Sequence, residues 1–228
     1  LNNPFCKKLN HFGIINLLLA TLVNLYKQTS MDITSFNQII TSRRSVFPKD
    51  YEAGKIDDQI IWQILKNANW APTHKMTAPW RFKVYSGKGL KFLGKKQAEI
   101  YKKVSLEEGN FIQAKFDNLT KTPLRASHVI MIIMKRSKEV KIREVEEIAA
   151  VSCAVQNMYL TTTVYGLGAY WNTGGVTYME PAKQAFNINE KDRLMGFFYL
   201  GRKKNAYLEG KRNPIEDSVE WMDKDKSE

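Results

Sequence analysis

The sequence predicts an α+β fold with a central sheet and flanking helices. Three observations predict it. Apolar residues recur at helical spacing in two segments before residue 70 and in a longer one after residue 143. The run "SHVIMIIMK" (127–135) is apolar almost throughout, as a strand covered on both faces requires. Short segments such as "RFKVYS" and "GFFYLGR" are rich in strand formers. The mixture is one α+β domain rather than separate layers of a repeat, since no internal repeat or linker interrupts it.

Each element follows in order. From Asp32 to Ser42, Ile33, Phe36, Ile39 and Ile40 make one helical stripe, and "VFPKDYEAGK" breaks it. A second amphipathic helix, "IDDQIIWQILKNAN", turns Ile56, Ile60, Ile64 and Leu65 inward. Ala71-Pro72 ends it, because a proline disfavours helix at the residue before it. Arg81 to Ser86 alternates as a strand, and "GLKFLGKKQAEIYKKV" reads as a surface helix. Residues 107–122 read as helical and mobile. The strand 127–135 follows, then a charged connection, "MKRSKEVKIREVEE". The longest helix runs from Glu144 to Tyr165, dense in small residues in its first half. Gly166 and Gly168 stop it. Cys153 lies there among Ala149, Ala150, Ser152 and Ala154 and reads as a small buried residue. "AYWNT" opens another strand, and "PAKQAF" makes a short helix with Pro181 in its permitted first turn, before "GFFYLGR".

Bulk properties narrow the function. The 228 residues are 43% hydrophobic and 25% charged, a globular balance with ample chain for a core. A net charge of +12 favours anionic partners such as nucleic acid, a membrane surface or phosphorylated small molecules. The lysines are spread along the chain, with no block of five or six like charges, which disfavours a nucleic-acid arm. Two cysteines, Cys6 and Cys153, form no disulfide framework, and His11, His74 and His128 have no zinc spacing. A reducing, cytoplasmic location is expected. "KKLNHFGIINLLLATLVNLY" has a basic start and an apolar stretch, but no cleavage pattern follows and it is too interrupted to insert stably in a membrane. Met31 offers a natural start. Residues 1–30 are expected to be a poorly ordered extension or leader, and 31–228 one domain. G-x-G-x-x-G after a strand, the Walker loop, G-x-S-x-G and H-E-x-x-H are all absent, as are nucleic-acid motifs. If such a chain is an enzyme, its chemistry is expected to come from a bound organic cofactor.

Four segments stand in order: "RRS" (43–45), "NWAPTHKMTAPWRF" (69–82), "AVQNMYLTTTVYGLGAYWNTGG" (154–175), and "GFFYLGR" followed by "GKRNP" (210–214). Together they resemble the nitroreductase family of FMN-dependent oxidoreductases, over Ile33 to Pro214. The "APTHK" stretch resembles a small-subunit branch of it. The resemblance implies a mainly antiparallel sheet and an intertwined homodimer, with "IEDSVEWMDK" as an arm around the partner. It implies that Arg43, Arg44 and Ser45 hold the FMN phosphate and ribityl chain, with Arg212, or Lys211, completing the phosphate site. Arginine forks and a hydroxyl suit phosphate oxygens on chemical grounds as well. It further implies that Trp70 and His74 reach the flavin across the dimer interface, whereas Trp80 packs in the core. Trp171, Asn172, Thr173, Gly174 and Gly175 are expected beside the ring, two glycines letting the backbone come close. Phe47 stands where some members have a third arginine.

The implied activity is hydride transfer from NADH or NADPH through flavin N5 to a nitroaromatic, quinone or similar electron-poor small molecule. It needs no side-chain nucleophile, so no catalytic residue is assigned. An FMN-binding sensor or storage module without turnover is the alternative. The acceptor and the choice of nicotinamide stay open at this level.

Overall fold

A computed structural model describes residues 32–138, 141–204 and 209–222. The expectation for residues 1–30 and the last part of the C-terminal arm lie outside the described residues. The chain divides into two compact units, Leu1–Thr41 and Ser42–Glu228. Helix α1 (Ile33–Ser42) buries none of its residues, and Ile33, Phe36 and Ile40 are exposed. The stripe read from the sequence is therefore present in spacing, with Ile39 partly buried and its other members exposed.

The second unit is built on an antiparallel sheet. Its strands are β1 (Tyr51–Glu52), β2 (Trp80–Ser86), β3 (His128–Met134), β4 (Gly168–Asn172) and β5 (Arg193–Lys203). The order is β1-β5-β3-β2, with β4 also paired to β5, and every pairing is antiparallel. The α+β expectation holds. The helices are α2 (Asp58–Ala68), α3 (Lys88–Glu107), α4 (Gln113–Lys121), α5 (Glu144–Val164) and α6 (Pro181–Ala185).

Every residue of β3 is buried, because two cores meet it from opposite sides. Ile130, Ile132 and Met134 join Ile61 and Ile64 of α2 and Val151, Val155 and Met158 of α5. Val129, Met131 and Ile133 join Leu90, Leu93 and Tyr101 of α3 with Phe197 and Tyr199 of β5. Each fully buried aliphatic side chain contributes about 2 kcal/mol, so this strand anchors the unit. α2 starts at Asp57, whose carboxylate accepts the Gln59 N–H at 2.8 Å, and ends at Ala68, before the proline the sequence pointed to. Ile56 and, on its inner face, Ile61 and Ile64 are buried, with Ile60 and Leu65 only partly covered. The expectation for Cys153 is corrected: α5 is covered on the Val151–Val155 side, and Cys153 points out to solvent.

At the start of β3, His128 is buried, with Nδ1 2.9 Å from Ser127 Oγ and Nε2 3.2 Å from Asp58 Oδ1. Burial pushes the His128 pKa below its usual value, outweighing the Asp58 carboxylate. A hydrogen bond from Lys55 lowers that of Asp58. The unfolded chain therefore binds the His128 proton more readily than the folded one. The stability this gives is complete above the unfolded histidine value of about 6.5 and is lost as pH falls below it. Asp58 acts in the same direction at lower pH. The denaturant midpoint is expected to drop between neutral pH and about pH 5.5, and His128→Asn to flatten that slope.

Candidate active site

After α1 the chain runs extended, and the Val46 N–H donates to Ala169 O at 2.8 Å, tying the Arg-Arg-Ser segment to the start of β4. The Arg43 guanidinium lies over the Tyr159 ring, 5.0 Å from its centroid, a cation–π contact. Tyr159 belongs to α5. Its hydroxyl lies 3.3 Å from Ser45 Oγ and accepts the Trp171 N–H at 2.7 Å. One phenol thus joins the arginine segment to the end of β4. Sequence reading missed Tyr159, because a tyrosine in an apolar helix gives no signal of its own.

Arg44 donates from Nη1 to Arg43 O at 2.7 Å, and its guanidinium packs against Gly210 so closely that a Cβ there would overlap it. Lys211 and Arg212 come directly after that glycine and are exposed, with Arg212 Nη1 donating to Lys211 O at 2.7 Å. The two arginine segments, 167 residues apart in sequence when counted from Arg44 to Lys211, are neighbours in space. Phe47 packs on Tyr170 with ring centroids 4.5 Å apart.

β4 leads to the glycine turn. Asn172 Oδ1 accepts the Gly174 N–H at 3.1 Å, and Gly175 has φ +58, a left-handed conformation that glycine takes freely. The turn is seated on β5, where Gly196 at φ +111 lets the Asn172 carbonyl come down onto its Cα. Trp171 Nε1 donates to Met195 O at 2.9 Å. Beside the turn opens a cavity of about 420 Å³, lined by Trp171, Thr173, Ile148, Met179 and Met195 among others. The Thr177 hydroxyl also lines it and is buried without a hydrogen-bond partner among the described residues.

Trp70 and His74 are held elsewhere. Trp70 is 86% exposed, so it is no core tryptophan, whereas Trp80 is buried and donates from Nε1 to Asn69 Oδ1 at 3.0 Å. His74 Nδ1 lies 2.8 Å from Glu146 Oε2 in the first turn of α5. Glu146 and Tyr159 are thirteen residues apart on that helix, about 20 Å at 1.5 Å per residue. Within one chain the structure gathers Arg43, Arg44, Ser45, Trp171 and the 210–212 segment, leaves His74 at the far end of α5 against Glu146, and leaves Trp70 exposed.

The nitroreductase family model matches residues 40–202. The chain belongs to the nitroreductase family. That membership makes it an oxidoreductase. It is similar to YfhC of Bacillus subtilis (strain 168), named as a candidate NAD(P)H nitroreductase, with 28% identity over 81% of this chain and 92% of that one. Among solved structures, a nitroreductase-like family protein from Bacillus cereus aligns with a TM-score of 0.71 at 24% identity, over 86% of this chain and 98% of that one. The FMN-dependent nitroreductase NfnB from Mycobacterium smegmatis, solved with NADPH, aligns with a TM-score of 0.64 at 14% identity, over 83% and 99%.

The residues present fit the cofactor the family implies. Cationic groups and a hydroxyl cluster at one end, where Arg44 meets Gly210. An unobstructed glycine turn, a roomy cavity and an unsatisfied buried hydroxyl lie at the other. Among the described residues, no group of three or more His, Cys, Asp and Glu side chains is placed to hold a metal ion. None of the described helices is long and apolar enough to cross a membrane.

Proposed function

We propose that the protein is a homodimeric, FMN-dependent oxidoreductase that takes hydride from NADH or NADPH and reduces a nitroaromatic, quinone or similar electron-poor acceptor. The observation that carries this reading is the meeting of Arg44 with Gly210 beside Arg43, Ser45 and Tyr159. Arg43, Arg44 and Ser45, with Arg212 or Lys211, would grip the phosphate and ribityl chain. Fixed guanidinium forks suit a dianion in a partly desolvated site. Trp171, Asn172, Thr173, Gly174 and Gly175 would line the ring, the glycines letting the backbone come close to it. When bound, FMN supplies N5, the atom at which hydride is taken up and released.

Exposed apolar side chains support the dimer. Trp62, Trp70, Met76, Ile215, Val219, Trp221 and Met222 are uncovered in the single chain, more than a lone soluble subunit usually shows. In a two-fold assembly, Trp70 and His74 of one protomer would complete the ring pocket of the other, and the segment from Ile215 to Met222 would embrace the partner.

The test is a visible absorption spectrum of the purified protein, repeated under anaerobic conditions with NADH and then with NADPH. A flavin spectrum bleached by one nicotinamide and restored by a quinone is the expected result. A yellow protein that neither nicotinamide bleaches supports the storage module instead, and a colourless one that takes up no added FMN contradicts both. A milder variant probes the phosphate grip. Gly210→Ala pushes aside only the mobile end of Arg44, so FMN affinity is expected to fall about tenfold, as for loss of one charged hydrogen bond, with the melting temperature unchanged.

A further inference from the structure

Helix α3 divides into two faces. Leu90, Leu93, Ala98, Ile100 and Tyr101 are buried on the inner one. Beside them Gly94 lets α4 come so close that a Cβ there would overlap the Thr120 carbonyl. The outer side carries six lysines, Lys88, Lys91, Lys95, Lys96, Lys102 and Lys103. Positions 88, 91, 95, 99, 102 and 106 recur at helical spacing, so they share one face. Against the six lysines stand two glutamates, Glu99 and Glu107. They leave the helix at +4, a third of the chain's +12 on 20 of its 228 residues. Lys95 Nζ lies 3.8 Å from Glu99 Oε1, an exposed pair that neutralises little. Lys88, Lys91 and Lys103 make no ion pair among the described residues.

Apolar side chains stand among these cations. Phe92 and Leu106 are each 56% exposed. They lie fourteen positions apart, about 21 Å at 1.5 Å per residue, and bracket most of the lysines. Lys96 Nζ sits 5.9 Å from the Phe92 ring centroid, so a charge is held beside the ring. Lysine stems, ammonium groups and an exposed ring on one helix face match the boundary of a bilayer, where charged headgroups meet acyl chains. A nucleic-acid duplex fits less well. A helix about 10–12 Å wide fills the major groove only when it projects from its domain, and α3 lies flush beside α4. A phosphate backbone also offers Leu106 nothing to pack on.

We propose that the outer face of α3 docks the protein on the surface of an anionic lipid bilayer. The lysine ammonium groups meet the lipid phosphates and carboxylates, and the Phe92 ring enters the headgroup layer. The contact is peripheral and reversible. It needs no spanning segment, because lysines close to a negatively charged leaflet are drawn to it directly, and that attraction fades within a Debye length. None of these residues belongs to the candidate active site, so the proposal is independent of the function proposed above.

The experiment is co-sedimentation of the purified chain with phosphatidylcholine vesicles that contain either no charged lipid or about 30% phosphatidylserine. Wild type is expected to bind the anionic vesicles and not the neutral ones. Raising salt from about 0.1 M to about 1 M, which shortens the Debye length from about 10 Å to about 3 Å, is expected to release it. Each lysine near such a surface contributes about fivefold in affinity, so Lys91→Gln with Lys95→Gln is expected to weaken binding about 30-fold, and Lys91→Glu with Lys95→Glu about 100-fold or more. Phe92→Ser keeps every charge and is expected to weaken it about fivefold. All three side chains are exposed, and thermal melts check that the variants stay folded. The control, Lys66→Glu with Lys191→Glu, makes the same charge change at exposed positions outside α3 and is expected to cost no more than about threefold. Failure of wild type to bind anionic vesicles overturns the proposal. An equal loss in the control pair does so too, since net charge alone would then explain binding, and so does unchanged binding by Phe92→Ser. Binding to a DNA duplex of about 30 base pairs at protein concentrations that leave the vesicles empty, lost in the same lysine variants, would assign the face to nucleic acid and overturn it as well.

Discussion

The double variant Arg43→Ala, Arg44→Ala is expected to bind FMN about 1000-fold more weakly than the native protein. Each guanidinium is assigned at least one charge-assisted hydrogen bond to the phosphate, worth about 2 kcal/mol, and the two together remove about 4 kcal/mol of binding energy. Arg44 alone should not account for the whole loss, because Arg43 is separately seated over Tyr159 and stays in place when its neighbour is removed. The fold should survive. Both side chains are only partly buried, and Val46 N–H to Ala169 O and the packing of the sheet remain. Fluorescence titration of unloaded protein with FMN measures the loss, and a thermal melt without FMN checks that the two proteins unfold within a few degrees of each other. A double variant that keeps native affinity would remove the phosphate site from this segment.

Gly196→Ala is the second change with a large effect, and it acts on stability. Gly196 sits inside β5 at φ +111, opposite the register shift at Ile132/Ile133 of β3. Alanine is strained at that φ, and its Cβ would overlap the Asn172 carbonyl, which belongs to backbone and has little room to move. Strain and overlap together are expected to cost about 3 kcal/mol or more, a drop in melting temperature of about 10 °C for a chain of this size. Since the Asn172 carbonyl opens the glycine turn, the same variant is expected to weaken FMN binding in whatever fraction remains folded. Thermal unfolding monitored by circular dichroism gives the first result and FMN titration the second. A variant as stable as the native protein would show that the β4–β5 contact does not set the position of the turn.

The sequence made much of this visible, for definite reasons. The strand 127–135 was legible because burial on both faces leaves no polar position, and the structure buries all of His128–Met134. The long helix was legible from its length and its glycine stop. The two-residue β1 was not, since two residues carry no period. Cys153 was misread because small neighbours suggest close packing, yet α5 presents that side to solvent in one chain. The arginine segment and the glycine turn were legible through their order and their likeness to a family. What joins them was not. Tyr159 acts through a phenol that reaches Ser45 Oγ and the Trp171 N–H, residues that sequence places 114 and 12 positions away. Glu146 is one of several acidic residues in a helix start, and only the fold selects it as the partner of His74. Trp70 looked equally like core or contact; its exposure follows from its place just past the end of α2, where none of the described elements covers it.

Guanidinium groups at 43 and 44, beside the 210–212 segment, are proposed to grip a phosphate. The most direct measurement is the affinity of the unloaded native protein for FMN against riboflavin, which shares the ring and the ribityl chain and lacks only that group. Preference for FMN by about 100-fold or more is the expected result, equivalent to about 3 kcal/mol from the charged contacts. Equal affinity for the two would contradict the account, because the arginines would then hold nothing that distinguishes them.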